Sequence, residues 1–132
     1  MPNFNSWTPN ILAILRIVTA LLFLEHATMK FLQFPAAIPG VASPLPMILL
    51  AAGLIEAVTS ILILIGYQTR PAAFIASGEM AVAYFKGHMP SSFWPTLNQG
   101  ESAIFFCFIF FYIAFAGGGS WTLDGLRRPA EA

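Results

Sequence analysis

The chain has 132 residues, of which 58% are hydrophobic and only 9% are Asp, Glu, Lys or Arg, against roughly 25% charged residues in a soluble domain. That balance leaves too little polar surface to cover a soluble core, so an integral membrane protein is expected. Six basic and six acidic residues give zero net charge with no basic run, which argues against nucleic acid as a partner, and the lone Cys107 excludes an intrachain disulfide framework.

Four long apolar stretches follow one another. The first runs from about residue 10 to residue 34, with Asn10 after Pro9 as the expected N-cap. Nothing basic precedes it and no small-residue cleavage site follows, so it reads as a retained spanning helix, not a cleaved signal peptide. The linker that follows carries Pro35, Pro39, Gly40, Pro44 and Pro46 and cannot be helical throughout. A second stretch, 46–65, stops at Gly66, and the short link to Arg70 admits only a tight hairpin. The third, 71–87, has Pro71 in its first turn, where proline fits. An aromatic and proline-bearing linker leads to the fourth, 100–117, which ends in Gly117-Gly118-Gly119 before a short polar tail. A span needs roughly 20 residues, so the last two are slightly short. The expected fold is all-α, a transmembrane four-helix up-down-up-down bundle forming one membrane domain over residues 1–132. Arg70, Arg127 and Arg128 then share one side, with Arg16 near it, against Lys30 and Lys86 on the other. The positive-inside rule places both termini and the tail in the cytoplasm.

Each apolar stretch also holds ionisable residues, which are costly in lipid and mark functional sites by default. Counting about 1.5 Å per residue from the cytoplasmic ends puts Arg16 roughly 9 Å deep, Glu79 roughly 12 Å and Glu56 roughly 15 Å. Arg16, Glu56 and Glu79 are therefore expected to form one buried cluster with one excess negative charge. A proton shared by two acids beside an arginine would suit proton-linked chemistry, while the plainer reading is an ion cluster that fixes helix register. Glu25, His26, Lys30, Lys86, His88 and Glu101 form an outer polar layer nearer the opposite face. His26 and His88 are candidates to bind a metal or a quinone oxygen jointly; the plainer reading is a set of interfacial residues bonded to water and loop carbonyls. No phosphate loop, dinucleotide fingerprint, CxxC or HExxH occurs. No catalytic residue and no metal site can be assigned. Cys107, among phenylalanines, reads as inert packing, and the Phe105–Phe115 run as a surface for lipid and neighbouring helices.

Several ordered pieces carry a family resemblance. Arg16 is followed by Phe23-Leu24-Glu25-His26-Ala27-Thr28-Met29-Lys30 and Phe34-Pro35. Glu56 is followed by Leu64-Ile65-Gly66 and Thr69-Arg70-Pro71-Ala72-Ala73. Ala83-Tyr84-Phe85, His88, Pro90, Phe93, Pro95, Asn98, Gly100-Glu101, Cys107 and Gly117 to Asp124 then come in order. Over roughly residues 10–128 the chain resembles the DoxX family of small four-helix bacterial membrane proteins. It departs at Ala27, where the family usually has glycine, and at Ala57-Val58, where a glycine-rich stretch is usual. The resemblance implies a bacterial cytoplasmic (inner) membrane location and a redox- or quinone-associated subunit, with a soluble oxidoreductase or a second copy as partner. The cofactor is left unassigned, with quinone as the candidate, and the chain is expected not to be independently catalytic. A proton-linked or small-molecule transporter and a non-catalytic anchor, docking through Arg127 and Arg128, are the alternatives.

Overall fold

Asn3 and Pro9 together set where the first long helix begins. In the computed structural model, which describes residues 3–127, the Asn3 side chain accepts from the Asn5 backbone N–H at 3.2 Å and caps a single 3₁₀ turn, Phe4–Trp7. That turn runs straight into α1, Thr8–Leu32. Pro9 occupies its first turn, where a missing N–H costs nothing. Asn10 therefore lies inside the helix and is not its cap. The proline-rich linker contains no helix, and α2 spans Met47–Ile65. Gly66 ends α2 at φ +73, a left-handed conformation that glycine adopts without steric cost, and its N–H returns to Ile63 and Leu62 carbonyls.

The third helix, α3, spans Thr69–Ala83 and passes into a π-helical turn, Tyr84–His88, closed by the Met89 N–H on the Tyr84 carbonyl. Turns of this kind are rare and often sit at functional sites. A short α4, Pro95–Asn98, precedes α5, Glu101–Ala116, and α6, Leu123–Arg127. Among the described residues the protein is all-helical, with no strand. Two of the four expected spans, Phe4–Leu32 and Met47–Ile65, are long and apolar enough to cross a membrane by length and composition; α5 is apolar but shorter. Arg128 lies outside the described residues.

Packing follows chain order, α1 on α2, α2 on α3 and α3 on α5. The buried faces are built from small residues: Ala13, Ala20 and Ala27 on α1, Gly53 and Ser60 on α2, Ala72, Ala73, Ala76 and Ser77 on α3. Small residues let helix backbones approach closely, the usual basis of helix association in lipid. Between α1 and α5 bulky rings fill the gap instead, with Phe23 4.8 Å from Phe110 and 5.4 Å from Phe106 between centroids. The Phe-rich run thus divides: Phe106 and Phe110 are buried, and Phe105, Phe108, Phe111 and Phe115 face outward. Cys107 is half-buried, and its carbonyl accepts from Ser77 Oγ at 2.7 Å.

Polarity is distributed the wrong way round for water. Arg16, Glu56, Thr59, Ser60, Thr69, Ser77 and Asn98 are buried, while Ile11, Ile14, Val18, Leu21, Leu54, Val58, Phe74 and Val82 are exposed. An apolar exterior this extensive marks a surface made for another apolar phase.

One end of the molecule is tied together by the segment after α5. Ser120 N–H donates to Pro9 O at 3.0 Å and Asp124 N–H to Gly66 O at 3.0 Å. The Asp124 carboxylate accepts from the N–H groups of Gln68 (3.1 Å) and Thr69 (3.4 Å) at the start of α3. Arg70 donates to the Phe115 carbonyl at 2.6 Å.

Candidate functional site, a polar cavity between helices

Arg16 does not meet the two glutamates. It is fully buried, and its guanidinium donates to the carbonyls of Gly118, Ser120 (3.1 Å) and Trp121 (3.0 Å). The glycine-rich stretch beyond α5 is non-helical, so its carbonyls need donors from elsewhere. A planar fork with five N–H groups meets several of them at once. Counting depth along each helix missed this because it weighed side-chain charges against one another and not against bare backbone.

The partner of Glu56 is Lys30. Lys30 Nζ lies 2.7 Å from Glu56 Oε2, with side chains 9% and 2% exposed, and also reaches the His26 carbonyl at 3.4 Å. A lysine near the end of a long apolar helix often keeps its charged head in water; here the ammonium turns inward to Glu56 of α2. Gly53, one turn before Glu56, makes the room, since a Cβ there would stand 3.0 Å from Lys30 Cδ and 3.0 Å from the Phe31 ring. A glycine three residues before a buried glutamate, on the same helix face, is a signal in the sequence that points to this role. Gly53→Val is therefore expected to push Lys30 off Glu56 and to cost roughly 2 kcal/mol or more, read as a lowered melting temperature in detergent. A melting temperature equal to wild type would show that the close approach is not needed.

Glu79 lies close enough to Glu56 and Lys30 for their charges to interact, and its Oε2 is buried with no hydrogen-bond partner among the described residues. These three residues, with His26, Lys86 and His88, line one cavity of about 700 Å³. Apart from Ser102, the rest of its wall is apolar, including Ile48, Leu49 and Ile55 on α2 and Ile75, Met80 and Val82 on α3. The volume falls in the range of small-molecule pockets, about 300–1,000 Å³, as does the pattern of a few polar groups in an apolar wall. Lys30 and Lys86 against Glu56 and Glu79 leave the lining formally neutral when both imidazoles are neutral.

The two histidines are fixed by main-chain carbonyls. His26 Nδ1 lies 3.3 Å from Leu22 O, and its ring meets Phe106 edge-on at 5.4 Å. His88 Nδ1 lies 3.1 Å from Asn98 O, and its ring stacks on Tyr84. Asn98, which sequence reading placed only in the family pattern, organises this end. It is buried, donates to Ser92 O (2.9 Å) and Tyr84 OH (3.2 Å), and accepts from Gly100 N–H (2.8 Å).

Of the expected outer layer, then, His26, Lys30, Lys86 and His88 gather with Glu56 and Glu79. Glu25 and Glu101 do not line the cavity; both are exposed, and Glu101 sits in the first turn of α5, where a carboxylate suits the helix dipole.

The DoxX family model matches residues 11–89, a stretch containing every one of these six cavity residues. A protein of Haemophilus influenzae described as an uncharacterized protein is 45% identical over 131 residues, covering 94% of this chain and 96% of its own length. No solved structure matches the chain significantly. The chain belongs to the DoxX family, a family of membrane-associated proteins.

Proposed function

We propose that this protein is a four-helix up-down-up-down bundle in the bacterial cytoplasmic membrane that binds a quinone-type ligand as the membrane subunit of a redox system. The observation that carries this reading is the buried Lys30–Glu56 pair beside Glu79, His26 and His88 in an otherwise apolar cavity. Lys30 Nζ is a donor for a head-group oxygen, Glu79 is an acid able to exchange a proton with it, and the apolar wall suits ring and tail. Nothing in this set attacks a substrate, so the redox chemistry belongs to the ligand and to a partner protein. The four-span reading is supported by the apolar exterior, the extension of α3 through His88, and the convergence of the α1 start, the α2–α3 turn and the segment after α5 at one end. Arg70 and Arg127 lie at that end, which the positive-inside rule assigns to the cytoplasm.

Equilibrium binding of a decyl-tailed quinone–hydroquinone couple to the purified protein in detergent tests the reading. Saturable binding is expected, weakened at least about tenfold when Lys30→Met and Glu56→Leu are combined, a change that removes the pair together and strands neither of its two charges. Absent binding, or binding indifferent to the double substitution, would overturn it.

A further inference from the structure

Three acceptors in the lining stand without a donor among the described residues, while the free donors are those of Lys30, Lys86 and Ser102. In a neutral imidazole whose Nδ1 faces a carbonyl oxygen, Nδ1 must carry the hydrogen, and Nε2 is left as an acceptor. Both His26 and His88 are held in this way, by Leu22 O and Asn98 O. Glu79 adds a buried Oε2 with no donor. Two of the three N–H groups of Lys30 are taken by Glu56 and the His26 carbonyl, which leaves one for a head-group oxygen and none for the acceptors. A buried acceptor without a donor is costly, so the occupant that fits best brings hydroxyl hydrogens. It is also uncharged, because the lining is already balanced.

The opposite end of the cavity is open and apolar. Ile75, Gly78 and Val82 form one stripe of α3, facing Ile48 and Ile55 of α2, and all five line the cavity while being exposed on the outer surface. At Gly78 an added Cβ would meet no atom within 4 Å. The cleft between α2 and α3 therefore leads from the acceptors to the lipid-facing side without a side chain across it.

We propose that the cavity takes a membrane-dissolved amphiphile in its reduced, hydroxyl-bearing form, the head donating to His26, His88 and Glu79 and the hydrocarbon tail leaving between α2 and α3 across Gly78. This rests on the quinone-type reading above and adds the redox form bound and the route of the tail. Gly78→Leu fills the cleft from an open, exposed position and leaves the acceptors in place.

Three probes test it on the purified full chain: a decyl-tailed hydroquinone, its oxidised quinone, and the tail-less hydroquinone. Wild type is expected to bind the tailed hydroquinone roughly tenfold tighter than the quinone, about the worth of one well-made hydrogen bond. Gly78→Leu is expected to lower tailed affinity to near that of the tail-less probe, whose own binding it leaves unchanged; Gly78→Ala is expected to behave as wild type. Equal wild-type affinity for the two redox forms, or a Gly78→Leu effect equal for tailed and tail-less probes, overturns this proposal while leaving a quinone-type site standing. If no probe binds wild type, both fall. The comparison of redox forms uses wild type alone and so does not depend on the folding of any variant.

Discussion

Replacing Arg16 with alanine will unfold the protein's tied end, at a cost of about 3–5 kcal/mol. Three hydrogen bonds from its guanidinium hold the backbone of residues 118–121 against α1. Side-chain hydrogen bonds in a membrane protein are worth about 0.6–2 kcal/mol each, and the void left by a fully buried side chain adds to that. The damage should spread, because the same segment carries Asp124, which satisfies the amides of Gln68 and Thr69 at the α2–α3 turn. Arg16→Lys should recover only part of the loss, since a point-like ammonium lacks the fork that meets three carbonyls from one position. Thermal and denaturant unfolding in detergent will read both variants. Full recovery by lysine would mean that charge, not shape, is what the site requires.

The second large effect is expected at Lys30 and Glu56. Either residue replaced alone, as Lys30→Met or Glu56→Leu, leaves a buried uncompensated charge and should cost about 3–5 kcal/mol. Both replaced together should come within about 1 kcal/mol of wild type, because the pair's attraction and its desolvation nearly cancel. A double-mutant cycle isolates that coupling. Additive losses would show that the two side chains are not partners in the folded protein.

How far the sequence discloses this arrangement depends on which kind of signal each residue gives. Gly66 marks the end of α2 because its left-handed conformation is almost a glycine property. Pro9 marks the start of α1 to within two residues, yet the Asn3 cap and its 3₁₀ turn move the boundary past what Asn10 suggests. The presence of charged residues in apolar helices is evident from composition. Their pairing is not, for two physical reasons. Arg16 donates from its two terminal nitrogens to backbone carbonyls about a hundred residues away in the chain, and no side-chain pattern records that contact. Lys30 reaches Glu56 only because Gly53 clears its path, so a long side chain at the end of one helix meets a glutamate in the middle of the next. Layers drawn from helix depth treat side chains as points at their Cα height, which fails for residues with stems this long. His88 and Lys86 reach the cavity through the π-helical turn, whose wider winding shifts their direction relative to an α-helix continued from Ala83.

Stability and ligand binding part company at Glu79, and that makes it the most informative single position. Glu56 and Arg16 hold the fold, so loss of function there can follow from loss of structure. Among the described residues Glu79 has no ion pair at 4 Å or less, and its Oε2 has no bond to lose. The decisive measurement sets the melting temperature of Glu79→Gln beside its affinity for the tailed hydroquinone. A cavity built to bind predicts a melting temperature equal to or above wild type with affinity lowered roughly tenfold or more. A lowered melting temperature with unchanged affinity would show instead that Glu79 belongs to an ion cluster serving the packing of the helices.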